Sequence, residues 1–113
     1  MRIESEKVDD ILKVKPLEKR IDASVSIDFR ERMTVWIREG NKRIVLNLSS
    51  VEFVDSSGLG AIISTMIALR PQGQLMVCNA KDSVLALFRL TRMDRVIPVK
   101  NDANEALRAM SGA

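Results

Sequence analysis

The chain has 113 residues, of which 46% are hydrophobic and 29% are charged, a composition typical of one soluble globular domain with a single core. Lys and Arg outnumber Asp and Glu by 18 to 15, but the cations are scattered among acidic residues and do not interleave with aromatic ones, which disfavours a nucleic-acid surface. With no histidine and one cysteine, the chain cannot form an internal disulfide, a Ser-His-Asp or Cys-His site, or a zinc cage of His and Cys ligands.

The apolar runs of the sequence are all short, so we expect no segment that spans a membrane. The first ten residues, MRIESEKVDD, are charged throughout and lack the apolar stretch of a secretion signal. The lone cysteine, Cys78, fits a reducing compartment. We therefore expect a cytoplasmic protein made of one domain over residues 1–113, since no linker-like stretch or internal repeat divides the chain.

The N-terminal segment predicts a β-hairpin. Two strands, at 2–6 and 11–17, flank a turn near Asp9 and Asp10. Pro16 has no N–H to donate to a strand ladder, so the second strand should lie at a sheet edge or be interrupted there.

A helix is predicted to follow the hairpin. Asp22-Ala23-Ser24 is a helix-start signal, and Gly40 is a stop. The apolar residues between them recur at spacings of three and four, which places them on one buried face. They are Val25, Phe29, Met33, Trp36 and Ile37.

Strands and helices alternate in the rest of the chain. Strands are predicted at 43–48, 74–78 and 96–99. Apolar stripes predict three further helices: Leu59, Ile62, Ile63, Met66 and Leu69, ended by Pro71 and Gly73; Val84, Leu87, Phe88 and Thr91, capped by Asp82 or Ser83; and Ala103, Ala106, Leu107 and Met110, opened by Asp102. This order predicts an α/β fold, with a mixed β-sheet of four to five strands, an N-terminal hairpin and about four helices joined by right-handed crossovers.

The stretch 45–60, VLNLSSVEFVDSSGLG, is the most informative part of the sequence. A strand leads through a loop into a helix, so Ser56 and Ser57 lie at a helix N-terminus, where backbone N–H groups and the helix dipole stabilise a phosphate. The plainer interpretation is helix punctuation by Asp55, the serines and Gly58. P-loop, dinucleotide and nucleophile-elbow motifs are absent, and no base is present to activate a serine, so we expect no enzyme and no cofactor.

The order and spacing of this stretch resemble the serine loop of the STAS family, the domain of bacterial anti-sigma factor antagonists. The resemblance continues upstream over 17–23 and downstream over 74–79 and 84–88. It implies a STAS-like fold for the whole chain, as a single STAS domain. One departure is that Lys19 and Arg20 occupy a segment where the family usually has a glycine, and a backbone with φ > 0 there would be strained.

The resemblance also implies a modification site. In the family a kinase phosphorylates a serine of this loop, and the matching position is Ser56, directly after Asp55, with Ser57 as the alternative. Asp22 matches an acidic position near the phosphorylated serine, although it could equally be a plain N-cap or serve both purposes.

The function that the resemblance implies is partner switching controlled by phosphorylation. Unphosphorylated, the domain would bind an anti-sigma factor that is also a serine-protein kinase and release its target; a serine phosphatase would reset it. An alternative is a STAS switch with a non-sigma output, such as biofilm or motility signalling. A constitutive scaffold with a silent serine loop is a further hypothesis, and a nucleotide binder has only the turn at Gly58-Leu59-Gly60 in its favour.

The partner surface is expected on the loop and on the outer side of the helix after it. If the apolar stripe of that helix faces the core, then Gly60, Ser64 and Ile67 lie on its opposite side. Ile67 is then either part of a docking surface or a single exposed hydrophobe of the ordinary kind. The full expected contact set is Asp22, Asp55, Ser57, Gly58, Gly60, Ser64 and Ile67. Trp36 and Phe88 are expected to anchor the core.

Overall fold

A five-stranded mixed β-sheet organises the chain, as described by a computed structural model of residues 1–111. The strands are β1 (Ile3–Val8), β2 (Ile11–Pro16), β3 (Arg20–Ile21), β4 (Arg43–Asn47), β5 (Phe53–Val54), β6 (Gln74–Cys78) and β7 (Val99–Lys100). The helices are α1 (Ala23–Arg38), α2 (Ser56–Leu69), α3 (Asp82–Leu90) and α4 (Ala103–Ser111), with a 3-10 turn at Met93–Arg95. The predicted α/β fold is confirmed.

The main sheet has the order β1-β2-β4-β6-β7. The hairpin pair β1 and β2 is antiparallel, and all the other neighbours are parallel. The second strand therefore lies inside the sheet, and its expected edge position is wrong. Pro16 is instead the last residue of that strand, which agrees with the alternative that proline interrupts it.

Alternating side chains divide the sheet into two apolar faces. In β4, Ile44 and Leu46 join the large cluster under α1, α2 and α3, whereas Val45 joins a smaller cluster under α4. The same alternation places Ala106 and Met110 of α4 against the second face. The serine loop and α2 thus lie on the side of the sheet opposite to α4.

The core anchors differ in part from those expected. Phe88 is fully buried, as predicted, and so is Phe29. Trp36 is only partly buried and packs at the margin of the large cluster, so its expected role as a core anchor is wrong. The reason is helical geometry, because Phe29 and Met33 occupy the centre of the buried stripe and position 36 falls beside it.

Three boundaries of the last third are also corrected. The final strand is Val99–Lys100, because Val96 closes the 3-10 turn and the N–H groups of Val96 and Ile97 both donate to the carbonyl of Met93. Asp82 is the first residue of α3 rather than its cap, and the Ser83 hydroxyl donates to the carbonyl of Glu52 instead. Thr91 ends α3 and is exposed. Within residues 1–111, no helix combines the length and the apolar character needed to cross a membrane.

Candidate phosphorylation and docking site

A second, very small parallel sheet builds the site. Arg20 pairs with Phe53 and Ile21 pairs with Val54 in the register of β3 and β5. Ile21 and Val54 point into the core, whereas Arg20 and Phe53 lie on the exposed side. This pairing brings the start of α1 beside the start of α2, although the two segments are far apart in sequence.

The Asp55 carboxylate joins the N-termini of both helices. Its Oδ1 accepts a hydrogen bond from the backbone N–H of Gly58 at 2.8 Å, which caps α2. Its Oδ2 accepts from the backbone N–H of Ala23 at 3.1 Å, in the first turn of α1. A capping carboxylate is stabilised by the free N–H groups and by the positive end of each helix dipole. The bond to α1 is a contact that the sequence did not predict.

Asp22 caps α1, which confirms its interpretation as a helix N-cap. Its Oδ1 accepts from the Ser24 N–H at 3.0 Å and from the Ser24 hydroxyl at 2.6 Å. The Ser24 hydroxyl and, after it, the Arg20 side chain lower the pKa of the Asp22 carboxyl, because both interactions favour the charged form. The cap lies next to the Ala23 N–H that Asp55 accepts, so both carboxylates border the serine loop.

The backbone before Asp22 is unstrained. Among residues 1–111, the non-glycine residues with φ > 0 are Asp9, Asn79 and Arg92. Lys19 and Arg20 are not in that region, so the strain expected where the family usually has glycine does not arise. The carbonyl of Lys19 instead accepts the N–H groups of Glu52 and Phe53, which anchors the small sheet.

Ser56 and Ser57 are the first two residues of α2, and both are exposed. This position gives a kinase access to either hydroxyl and places a phosphate on either one beside the positive end of the helix dipole. The geometry leaves open which of the two serines is the acceptor, as the sequence did.

The two glycines of the loop have different surroundings. A Cβ on Gly58 would overlap the carbonyl of Ile21, and Gly58 is buried. Its expected contact with a partner is therefore not available, and its role is to let α2 approach β3. A Cβ on Gly60 would meet nothing within 4 Å, and Gly60 lies at the partly exposed side of the helix.

The outer side of α2 is oriented as predicted. Ile67 is 61% exposed, and Ser64 is partly exposed on the same side. The opposite side of the helix contributes Leu59, Ile62, Met66 and Leu69 to the buried cluster. The exposed residues of α2 therefore continue the surface that begins at the two serines.

The Arg20 cation lies beside one of the acidic groups of the site. The guanidinium carbon of Arg20 lies 4.3 Å from the centre of the Phe53 ring. Its Nε lies 3.3 Å from Oδ2 of Asp22. Phe53 is 41% exposed, so the stacked pair forms part of the surface beside the serine loop.

Neither a metal-binding cluster nor a reactive cysteine is found among the described residues. Between residues 1 and 111, no group of three or more His, Cys, Asp or Glu side chains is arranged to hold a metal ion. Cys78 is buried in the sheet, and burial raises the pKa of its thiol to about 11. At neutral pH the thiol is therefore protonated and a poor nucleophile.

Comparison with known proteins identifies a family. The family model of the STAS domain matches residues 2–106. A curated relative, the anti-sigma-B factor antagonist of Listeria monocytogenes, is 33% identical over 89 residues, which cover 75% of each chain.

Solved structures show the same fold. A crystal structure of an anti-sigma factor antagonist from Mycobacterium paratuberculosis superimposes with a TM-score of 0.86, at 23% identity, over 96% of this chain and 93% of that one. The unphosphorylated form of the anti-sigma factor antagonist SpoIIAA superimposes with a TM-score of 0.75, at 22% identity, over 99% and 100%. SpoIIAA, a Bacillus cell fate determinant, has also been solved in a phosphorylated form, with a TM-score of 0.75 at 19% identity.

Proposed function

The chain belongs to the STAS domain family, and we propose that it is an anti-sigma factor antagonist whose choice of partner is controlled by phosphorylation of Ser56. The observation that carries this proposal is the placement of Ser56, exposed on the first turn of α2 and directly after the Asp55 carboxylate that joins two helices. The two solved forms of SpoIIAA, unphosphorylated and phosphorylated, support such a modification in a protein of the same fold.

The unphosphorylated protein presents a continuous docking surface. Its contact set, apart from the buried Gly58, is Asp22, Asp55, Ser57, Gly60, Ser64 and Ile67. Small residues at 60 and 64 let a partner backbone approach α2 closely, and Ile67 offers apolar area to bury. We propose that the partner is an anti-sigma factor, because a relative of this chain is named as an anti-sigma-B factor antagonist. We propose further that this partner carries the serine kinase activity that modifies the exposed Ser56.

Phosphorylation converts this surface. The kinase transfers the γ-phosphoryl group of ATP to the Ser56 Oγ, the hydroxyl proton is lost, and ADP leaves. The phosphate adds a charge of about −1.5 to −2 at neutral pH. It lies beside Asp55 and near Asp22, so a docked partner meets concentrated negative charge and a costly desolvation. No refolding is needed, since Ser56 makes no contribution to the buried core.

Resetting the switch requires removal of the phosphate. Ser56 is exposed at the protein surface, so a serine phosphatase can reach the phosphoserine and direct a water to the phosphorus. Hydrolysis then breaks the P–O bond to the serine and restores the hydroxyl. We place the protein in the cytoplasm, where ATP, the kinase and the phosphatase would all be available.

The test is site mapping with matched serine variants. The wild type, Ser56→Ala and Ser57→Ala are incubated with the kinase purified from the native cells and ATP, and the phosphate is located by mass spectrometry. We expect phosphorylation of the wild type and of Ser57→Ala, and none of Ser56→Ala. Phosphate retained by Ser56→Ala and lost from Ser57→Ala would reject Ser56 as the acceptor.

Binding of the kinase provides the second measurement. We expect the unphosphorylated wild type and Ser56→Ala to bind equally, and the phosphorylated protein to bind at least about tenfold more weakly, which corresponds to about 1.4 kcal/mol. Titration calorimetry with a non-hydrolysable ATP analogue keeps the unphosphorylated form intact during the measurement. Equal affinity of both forms would reject the switch.

A further inference from the structure

Arg20 is held beside the serine loop by three separate interactions. Its backbone pairs with Phe53 in the small sheet, its guanidinium stacks on the Phe53 ring, and its Nε contacts Asp22. The Arg20 side chain is nevertheless 61% exposed, so the guanidinium keeps free donors. Such an arrangement orders a cation on the surface without using all of its hydrogen-bonding capacity.

The Arg20 side chain extends toward Asp22, at the start of α1. Arg20 and Asp22 are two residues apart on an extended segment, so both lie on the exposed side of the small sheet. Contact with Asp22 means that the guanidinium extends along the chain toward the start of α1. Asp55 reaches the same place through its bond to Ala23, and Ser56 is the next residue.

We propose that Arg20 is the internal binding partner of phosphorylated Ser56, so that the guanidinium leaves Asp22 and binds the phosphate oxygens. This inference rests on the proposed phosphorylation of Ser56. A phosphate dianion offers three acceptor oxygens and more charge than a carboxylate, and the planar guanidinium fork binds it through two parallel hydrogen bonds.

The exchange of partners costs little in the protein. In the ion pair, the Arg20 side chain is 61% exposed and the Asp22 side chain is 23% exposed, and ion pairs in contact with solvent are weak. Oδ1 of Asp22 keeps both hydrogen bonds from Ser24 after Arg20 leaves, so the helix cap is retained. Oδ2 loses the bond from Arg20 Nε, and because the Asp22 side chain is 23% exposed, water replaces that donor. The stacking on Phe53 keeps the guanidinium on the small sheet while its N–H donors turn toward the phosphate.

Two consequences for the switch follow. The phosphate is drawn toward the small sheet and held in one orientation, rather than moving freely over α2. Asp22 loses its cation at the same time, so the carboxylate at the start of α1 becomes the unpaired negative charge of the site. Arg20 therefore orders the phosphorylated state, while the net charge of the site is unchanged by the exchange of partners.

The experiment uses phosphoserine installed at position 56 during translation by an expanded genetic code. Four proteins are compared: the wild-type background, Arg20→Gln, Arg20→Lys, and Arg38→Gln as the control. Arg38 is exposed at the last turn of α1, at the end of that helix away from the loop. The second pKa of the phosphoserine is measured by ³¹P NMR, and the Arg20 Nε–H signal is followed by ¹⁵N NMR.

We expect the phosphoserine pKa in the wild-type background and in Arg38→Gln to lie lower by about 0.5 than in Arg20→Gln, because a bound cation favours the dianion. Arg20→Lys, which keeps the charge and loses the fork, should lie between them. The other charged residues of the segments that form the loop, Lys19, Asp22, Glu52 and Asp55, are the same in all of these proteins.

Equal phosphoserine pKa values in Arg20→Gln and the wild-type background, with an Arg20 Nε–H signal that does not move on phosphorylation, would overturn the inference. Thermal melts of the variants show whether the fold is kept, which we expect because the side chain is mostly exposed. The phosphoserine does not depend on a kinase. A kinase that fails to modify Ser56 would therefore reject the proposed function and leave this result standing.

Discussion

The Asp55 side chain accepts a hydrogen bond from the backbone N–H of Ala23, which lies 32 residues earlier in the chain. The other oxygen of the same carboxylate caps α2 through Gly58. One side chain thus fixes the relative position of two helix starts, and the serines follow it directly. The capping geometry makes the loop part of the folded scaffold.

Replacement of Asp55 by alanine should therefore destabilise the protein more than loss of an ordinary cap. A single cap contributes about 1 kcal/mol, so we expect Asp55→Ala to lower the free energy of unfolding by about 2 kcal/mol. The matched control is Asp102→Ala, since Asp102 accepts one N–H, from Glu105, at the start of α4. Urea denaturation measures both, and equal losses in the two variants would contradict a shared cap.

The stability of the protein should depend on pH through Asp22. Its pKa is lowered in the folded chain, chiefly by the Ser24 hydroxyl, so the charged form contributes stability above the unfolded pKa. That contribution is lost as the pH falls through the folded pKa, below the ordinary value of 3.8. Asp22→Asn keeps a good N-cap without the charge. We expect its urea midpoint to fall less than that of the wild type between pH 7 and pH 3, and parallel curves would contradict this.

The two loop glycines provide a matched pair of variants. Gly58→Ala should destabilise the protein by about 1–3 kcal/mol, because the added methyl overlaps the Ile21 carbonyl and the backbone must shift. Gly60→Ala meets open space in a helix, where alanine is favoured over glycine by about 1 kcal/mol. We expect opposite signs in thermal melts. A stabilised Gly58→Ala would mean that α2 does not pack against β3 this closely.

Truncation to alanine should destabilise the protein by different amounts at Phe88 and Trp36, although both residues were expected to anchor the core. Phe88→Ala removes a fully buried ring, and we expect it to cost about 3–5 kcal/mol. Trp36→Ala should cost clearly less, because that ring packs at the margin of the cluster and is partly exposed. Circular dichroism is the suitable probe, since Trp36 is the single tryptophan of the chain. A larger loss for Trp36→Ala would reverse this ranking.

Ile67 tests the docking surface on α2. Ile67→Glu should leave the thermal melt almost unchanged, because the side chain is mostly exposed, and should abolish binding to the proposed kinase. Leu90→Glu is the control, as Leu90 is 83% exposed on α3. If both variants still bind the kinase, Ile67 is not part of the docking surface. If both lose binding, the added charge has a non-specific effect.

The fold was predictable from the sequence wherever apolar residues recur with a strong period. The buried stripe of α2 and the strands β4 and β6 lie where the apolar pattern placed them. The strands β3 and β5 have two residues each, which is too short for any period to be read. Trp36 shows a second limit: a residue at the margin of a helical stripe satisfies the spacing whether or not the core extends to it.

The residues of the site were predictable from the sequence, but the contacts between them were less so. The motif placed Ser56 and Ser57 at a helix start, which the structure confirms. The bond from Ala23 to Asp55 and the stacking of Arg20 on Phe53 join segments that are distant in sequence. Gly58 was expected to contact a partner, and the structure shows it packed against the Ile21 carbonyl instead. The sequence alone does not reveal whether a glycine of a motif faces open space or is needed because a neighbouring backbone group leaves no room for a side chain.

The double cap at Asp55 also bears on how fast and how tightly a protein can dock on the serine loop. A flexible loop loses conformational entropy when a partner arrives, and that loss weakens the complex. Here the loop backbone loses its freedom when the chain folds, because both helix starts are tied to the same carboxylate. Docking then fixes few additional degrees of freedom, and the association rate is set by diffusion and by the charges on the two surfaces.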